Sequence, residues 1–170
     1  MSSIARAESL IRAIPDYPEP GVLFRDITPL LADSDALRTV IDAMIAPFAG
    51  KFDVVAGVEA RGFLLAGAIA VAADAGLVPI RKAGKLPRPA ASASYTLEYG
   101  TATIEAHDDI APGTRMLLVD DVLATGGTLA AAHELADALG IIIVGTTVLM
   151  ELEALGGRRL VGDVHAVFTA

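Results

Sequence analysis

Two adjacent carboxylates followed by a turn of hydroxyls and glycines form the most informative string in the sequence. The apolar run 116–119 leads into Asp120 and Asp121, and Ala-Thr-Gly-Gly-Thr follows at 124–128 before a helical pattern. Backbone N–H groups at a helix start bind anions, and glycines let a phosphate approach the backbone closely. The carboxylates would repel that phosphate, but they suit ribose hydroxyls or a sugar-bound magnesium ion. The string therefore predicts a site for a phosphorylated ribose.

The same string has a more ordinary interpretation, an acidic β-to-α turn with a threonine cap. Other phosphate-binding motifs do not match it. No Gly-Lys-Ser/Thr follows the turn, as a Walker A loop would require, and no GxGxxG dinucleotide fingerprint occurs anywhere in the chain.

Arg61 is a second candidate for binding an anion. It stands between the end of a predicted strand and a helix that begins at Gly62. A guanidinium group at such a position is well placed to hold a phosphate or diphosphate. A surface arginine paired with Glu59 would explain the same residue.

Two further segments carry charged groups that could take part in catalysis. Four cations fall within 81–88, at the start of an aperiodic segment (82–93) that reads as a mobile loop able to close over a polyanion. Glu98 lies just beyond it and could act as an acid or base. The alternatives are a solvated loop and a surface glutamate. His107, His133 and His165 lack metal-ligand spacing and receive no role.

The bulk composition restricts the class of protein. The 170 residues suit one domain, and apolar residues make up 54% of them with only 5% aromatic, which is typical of a buried parallel sheet. A formal net charge of −8 argues against a nucleic-acid partner. The absence of cysteine excludes disulfides and thiol catalysis. The longest apolar stretch, 63–73, is shorter than the ~20 residues of a membrane helix. We expect a soluble cytoplasmic protein with no membrane contact.

The periodicity of apolar residues predicts the elements that would position these groups. An N-terminal helix carries Ile4, Leu10, Ile11 and Ile14, and a second helix follows Ser34 as its N-cap. Further strands are predicted at 53–58, 77–81, 115–119, 141–150 and 164–168, helices at 62–75 and 127–139, and a hairpin at 94–99 and 101–106. The pattern is that of a single α/β domain with a hairpin insertion.

Five segments together resemble a known family. VDDVLATGGT at 119–128 is similar to the phosphoribosyl-pyrophosphate (PRPP) motif of type I phosphoribosyltransferases. Four others resemble adenine phosphoribosyltransferases, in that family's order: PGVLFRDITPLL at 20–31, GVEARGF at 57–63, RKAGKLP at 81–87 and SYTLEYG at 94–100.

The resemblance implies a single-domain type I phosphoribosyltransferase fold over 1–170, in which helices flank a central, mainly parallel sheet. It implies a base-binding hood at 1–33, and a flexible loop plus β-hairpin at 82–106. The implied reaction converts adenine and PRPP to AMP and pyrophosphate in purine salvage. Magnesium would be held mainly by PRPP or pyrophosphate, with no direct protein ligand, and the enzyme would be a homodimer.

Roles for individual residues are implied in the same way. Glu98 matches the family's candidate catalytic carboxylate, near N7 of the purine. The base would be read by the carbonyl of Leu23 and the amide of Arg25, and sandwiched by Phe24 and Val122. Asp120 and Asp121 would face the ribose hydroxyls. Arg61, Lys82 and Lys85 would hold the diphosphate, with a strained or cis peptide near Arg61. The 5-phosphate would lie on Ala124, Thr125, Gly126, Gly127 and Thr128.

Three rival functions are compatible with parts of this pattern. A phosphoribosyltransferase for xanthine, guanine or a pyrimidine would share the PRPP motif, but segment 20–26 argues against it. A PRPP-sensing transcriptional regulator would need a DNA-binding module or a basic face. A non-catalytic nucleotide-binding protein would not need Glu98 or the loop lysines, all of which are present.

Overall fold

The structure is a computed structural model that describes residues 3–97 and 100–170. The chain forms two compact units, and the boundary between them falls between Ala43 and Met44. Among the described residues, no helix is both long and apolar enough to cross a membrane.

The first unit pairs a short antiparallel ribbon with helices. Strands β1 and β2 form the ribbon, with Ile14 opposite Phe24. The elements in chain order are α1 (Ser3–Ser9), β1 (Arg12–Pro15), β2 (Leu23–Asp26), α2 (Thr28–Ala32) and most of α3 (Ser34–Ile45).

The predicted N-terminal helix is too long, because α1 ends at Ser9 and Ile14 lies in β1. A proline disfavours the helical conformation in the residue before it, and Pro15 therefore favours the extended backbone that pairs with β2. The N-cap of α3 was also misplaced by one residue. Asp33, not Ser34, accepts the hydrogen bond of the Ala36 N–H at 2.9 Å.

The second unit is built on one sheet with helices packed against it. Its strands are β3 (Val54–Val58), β4 (Gly76–Lys82), β5 (Ala91–Leu97), β6 (Gly100–Ala106), β7 (Arg115–Leu123), β8 (Ile142–Glu151) and β9 (His165–Thr169). Its helices are the end of α3, α4 (Arg61–Ala72), α5 (Gly127–Ala138) and α6 (Arg158–Val161), with short 3-10 turns at Ala46–Phe48 and Glu153–Leu155.

The strand order in the sheet is β5-β6-β4-β3-β7-β8-β9. Five neighbouring strands, β4, β3, β7, β8 and β9, run parallel to one another. The β5–β6 hairpin joins the sheet at the β4 edge, where β6 pairs antiparallel with β4. The predicted α/β class, with a central and mainly parallel sheet, is confirmed. The connection from β3 through α4 to β4 is the predicted crossover.

Two boundaries near the candidate site differ from the prediction. β7 continues to Leu123 because β8 pairs with it as far as Glu151, so Asp120 and Asp121 lie inside the strand and not after it. β5 begins at Ala91, which shortens the predicted loop at its far end. Glu98 and Tyr99 lie outside the described residues.

A tightly packed core holds these elements in place. Leu129, Leu135 and their neighbours on α5 are buried against one face of the sheet, together with Leu118 and Val148. Because the buried side chains are aliphatic and interdigitate, the start of α5 is fixed relative to the end of β7.

Candidate active site

A pocket of about 360 Å³ opens where β3 and β7 end, and nearly all the predicted phosphate and ribose ligands line it. In parallel α/β sheets, ligands bind at the carboxyl ends of the strands. The pocket wall consists of residues 59–61, Lys82, Tyr95 and 120–129.

The floor of the pocket is the turn from β7 into α5. Gly126 is the residue before the helix and has a left-handed backbone, with φ of 89°. Side chains disfavour that conformation, so glycine suits the position. The first N–H groups of α5 have no partners within the helix and are available to an anion. The segment 124–128 therefore leads into a helix start, as predicted, and its role in binding an anion stays a prediction.

A second segment, which carries no recognisable sequence motif, packs under this turn. A Cβ added to Gly126 would lie 2.7 Å from the Gly157 carbonyl oxygen and 2.9 Å from Cγ2 of Val161. In the reverse direction, a Cβ on Gly157 would collide with the Ala124 carbonyl oxygen and lie 2.6 Å from Cδ1 of Leu123. The two backbones therefore approach each other closely, and the turn before α6 supports the turn 124–128.

Gly157→Ala is expected to lower the free energy of unfolding by about 1–3 kcal/mol and to weaken phosphate binding, because the new methyl group must displace the Ala124 carbonyl and the Leu123 side chain. Thermal unfolding and titration with AMP would measure both effects. Arg159→Ala, an exposed position in α6, is the control and should change stability by less than about 0.5 kcal/mol. Unchanged AMP affinity in Gly157→Ala would contradict the supporting role.

Asp120 and Asp121 occupy the side of the pocket next to α4. The Asp121 N–H donates to Oδ1 of Asp120 at 2.8 Å. Burial, followed by the neighbouring charge of Asp121, holds the pKa of Asp120 well above its usual value. A Cβ on Gly62 would lie 3.0 Å from Oδ1 of Asp120, so glycine lets the start of α4 approach this carboxylate closely.

Arg61 faces the second carboxylate. Its Nε lies 2.7 Å from Oδ2 of Asp121, and its side chain is 38% exposed in the pocket wall. The alternative was a pair with Glu59, but the structure pairs Arg61 with Asp121, which comes from β7, and Glu59 contacts Arg81 and Lys85. The guanidinium therefore balances the charge of Asp121 and keeps exposed surface in the pocket that the turn 124–128 also lines.

The peptide bond between Glu59 and Ala60 is cis, although no proline follows it. The expectation of a strained or cis peptide next to Arg61 is confirmed. This bond lies in the short connection between β3 and α4, directly in the pocket wall.

Glu59 binds the basic segment, a role that was not predicted from the sequence. Its Oε1 lies 2.5 Å from Nζ of Lys85, and its Oε2 accepts the Lys82 N–H at 2.9 Å. The hydrogen bond from Lys85 is the main reason that the pKa of Glu59 falls to about 2. The sequence did contain a signal for this contact. Glu59 directly follows β3, and the strand that pairs in parallel with β3 is β4, which ends in Arg81 and Lys82.

The remaining predicted residues are placed as follows. Lys82 and Val122 line the pocket, and so does Tyr95, which was not predicted. Lys85 contacts Glu59 and is not part of the pocket lining. Leu23, Phe24 and Arg25 lie on β2 in the first unit. The Phe24 ring packs edge-on against the Tyr17 ring, with 5.1 Å between the ring centroids. Glu98 is outside the described residues.

Comparison with known proteins agrees with this geometry. The family model described as the phosphoribosyl transferase domain matches residues 29–165. That match places the fold and the pocket among the phosphoribosyltransferases.

Individual relatives indicate a narrower family within the phosphoribosyltransferases. A protein from Arthrobacter sp. (strain FB24), named adenine phosphoribosyltransferase, is 57% identical over 151 residues, covering 88% of this chain and 82% of its own. A crystal structure of adenine phosphoribosyltransferase from Rhodothermus marinus matches with a TM-score of 0.93 at 47% identity, covering 99% of this chain and 98% of the other. The enzyme from Saccharomyces cerevisiae, complexed with adenine and an imino-altritol bisphosphate, gives a TM-score of 0.92 at 34% identity, with coverage of 97% and 98%.

The chain belongs to the adenine phosphoribosyltransferase family. It is therefore a pentosyltransferase with the type I phosphoribosyltransferase fold.

Proposed function

We propose that the chain transfers the 5-phosphoribosyl group of PRPP to adenine, with AMP and pyrophosphate as products. The observation that carries the proposal is one pocket holding a helix-start anion site, two carboxylates and an exposed guanidinium. The identity of the acceptor is supported by relatives named for adenine, one of them in complex with it.

The sugar half of the substrate would lie on β7 and α5. The 5-phosphate accepts hydrogen bonds from the backbone and hydroxyls of 124–128, where α5 begins. Asp120 and Asp121 accept hydrogen bonds from the ribose hydroxyls. Acid beside the sugar and amides beside the phosphate match the two ends of a ribose 5-phosphate.

The leaving diphosphate would lie on the cationic side of the pocket. Breaking the C1–oxygen bond builds positive charge on the ribose ring and negative charge on the diphosphate. Arg61 and Lys82 line the pocket, and Lys85 belongs to the same turn. Fixed cations stabilise developing negative charge without reorganisation, so Arg61 and Lys82 would lower the barrier to bond cleavage.

Magnesium enters the proposal as an ion bound mainly by PRPP. The described residues contain no group of three or more histidines, aspartates or glutamates arranged to hold a metal. Asp120 and Asp121 offer the oxygen donors that magnesium prefers, and they would hold it indirectly, through the sugar. When bound, the ion supplies further positive charge for the leaving diphosphate.

The acceptor base is assigned by resemblance. Contacts to adenine are proposed for Leu23, Phe24 and Arg25 in the hood at 1–33, and for Val122 on β7. Glu98, in the loop-and-hairpin segment 82–106, would assist proton transfer at N7. Closure of this segment would exclude water from the reactive sugar. A cytoplasmic location stays a prediction from the sequence.

The direct test is formation of AMP from adenine and PRPP, followed with and without magnesium. Adenine presents a donor at N6 and an acceptor at N1, and 6-oxopurines reverse this pattern. Each buried mismatch costs about 1–3 kcal/mol. We expect kcat/KM for hypoxanthine to be far below that for adenine; comparable values would refute the specificity, and absence of AMP would refute the reaction.

We also propose that the enzyme is a homodimer and that α4 contributes to the interface. The helix has no charged residue after Arg61, yet Leu64 is 57% exposed and Val71 is 85% exposed. Leu77, at the start of β4, is exposed as well. Leu64 and Val71 are seven positions apart and therefore share one face of α4, and exposed apolar surface of this kind marks interaction sites.

Light scattering of the purified protein should give the mass of a dimer, and Val71→Glu should shift it toward the monomer, because burying a charge without a partner is costly. Ile142→Glu, a similarly exposed apolar position at the start of β8, is the control and should remain dimeric. A monomeric wild-type protein would refute the proposal.

A further inference from the structure

One carboxylate contacts three residues of the basic turn at the end of β4. Glu59 contacts Nζ of Lys85 at 2.5 Å and the Lys82 N–H at 2.9 Å, and Nε of Arg81 lies 3.4 Å away. Arg81 in turn donates to the Lys85 carbonyl at 3.3 Å. We call this set of contacts the Glu59 clasp. These contacts hold the turn 81–85 against the residue that follows β3.

The clasp separates the two loop lysines. Lys82 lines the pocket, whereas the ammonium of Lys85 is bound to Glu59, whose side chain is only 7% exposed. In this arrangement Lys82 is the loop cation that faces an anion. Lys85 holds the turn in place through Glu59.

The charge balance supports the same division. Glu59 itself borders the pocket, where a bare carboxylate would repel a diphosphate. Lys85 and Arg81 neutralise it, so it can hold the turn without opposing an anionic ligand. A second carboxylate on the turn, Oε2 of Glu105, accepts the Gly84 N–H at 3.0 Å but contacts no cation of the clasp.

We infer that Glu59 is a positioning residue: through the Glu59 clasp it places Lys82 at the pocket before the substrate arrives. Identification of the anion as the diphosphate of PRPP rests on the proposed function. The order of the turn itself does not, because it can be measured on the ligand-free protein.

The first measurement is hydrogen–deuterium exchange of the ligand-free protein. Glu59→Ala removes the acceptor of the Lys82 N–H and should speed exchange in the peptide that contains it by about tenfold, the change expected when about 1.4 kcal/mol of protection is lost. Glu105→Gln keeps an oxygen acceptor for Gly84 and is the control. Wild-type exchange in Glu59→Ala would overturn the inference.

The second measurement is steady-state kinetics. Glu59→Gln retains an oxygen for the Lys82 N–H but loses the charge that holds Lys85. We expect KM for PRPP to rise about tenfold, equivalent to ~1.4 kcal/mol, and kcat to fall as well, because a displaced Lys82 would also stabilise the leaving diphosphate less well. An unchanged or lower KM would overturn the inference.

A double-mutant cycle separates positioning from direct binding. If Lys85 acts through Glu59, the variant Glu59→Gln/Lys85→Met should resemble Lys85→Met alone. Multiplied effects on KM would show that the two residues act independently, and would overturn the inference. If the wild-type protein made no AMP, the proposed function would fail while the exchange experiment would still decide whether the clasp orders the turn.

Discussion

Replacement of Arg61 by glutamine is expected to lower kcat/KM for PRPP by about 10²–10³-fold, the loss typical of removing one preorganised donor to a developing negative charge. Arg61 lines the pocket and keeps more than a third of its side chain exposed while it contacts Asp121. Glutamine keeps some hydrogen-bonding capacity but carries no charge. The loss should therefore appear in turnover as well as in binding.

The same substitution also alters the acidic pair. Arg61 lowers the pKa of Asp120, whereas burial and Asp121 raise it. Without the guanidinium the pKa of Asp120 should rise further, and Asp121 should lose its charged partner. Ribose binding should weaken together with diphosphate binding, since both depend on one side chain.

Steady-state kinetics of the folded variant would measure this effect. Arg115→Gln is a matched control, since Arg115 forms a similar pair with Asp53, at 2.6 and 3.0 Å, away from the pocket lining. An exposed pair of this kind contributes less than about 1 kcal/mol, so kcat/KM should stay near the wild-type value. Equal effects of the two substitutions would remove Arg61 from the mechanism.

Replacement of Glu98 by alanine is expected to lower kcat by about 10²–10⁴-fold, the usual contribution of general acid–base assistance. The attacking N9 of adenine must lose a proton overall, and a carboxyl group at N7 could assist by hydrogen bonding or proton transfer. This prediction rests on the position of Glu98 within SYTLEYG.

Comparison of Glu98→Ala with Glu98→Gln would distinguish the two kinds of assistance. Glutamine can hydrogen-bond to the base but cannot exchange a proton at neutral pH. Recovery of activity in Glu98→Gln would assign Glu98 a hydrogen-bonding role, and equal losses would favour proton transfer. Unchanged kcat and kcat/KM in the alanine variant would exclude Glu98 from the reaction.

The sequence predicted the sheet and the turn into α5 well, because both depend on local signals. Aliphatic runs mark the buried strands, and Gly126 and Gly127 mark the start of α5. Arg61 was also identified from its local setting, between a strand end and a helix start. Its contact with Asp121 was not predicted, because Asp121 lies on another strand and the pairing of β3 with β7 decides which acid is near.

The features that the sequence did not predict are contacts between distant segments. Gly157 carries no pattern of its own, and its function appears only when its backbone lies against Ala124. Glu59 looked like a partner for the nearby Arg61, but parallel pairing of β3 and β4 brings it to Lys85 instead. Helix ends were misjudged for a local reason, since Asp33 and Ser34 are both good N-caps and only the structure separates them.

The strand order also determines when the pocket can first exist during folding. β3 and β7 are neighbours in the sheet, but α4, β4 and the hairpin lie between them in the chain. Asp53 and Arg115, which link the starts of the two strands, are 62 positions apart. Contacts of such long sequence separation form late, because the entropy of closing the loop must be overcome first. On a ribosome, the sugar site therefore cannot assemble until β7 has emerged, and any ligand bound there stabilises the centre of the sheet as a whole.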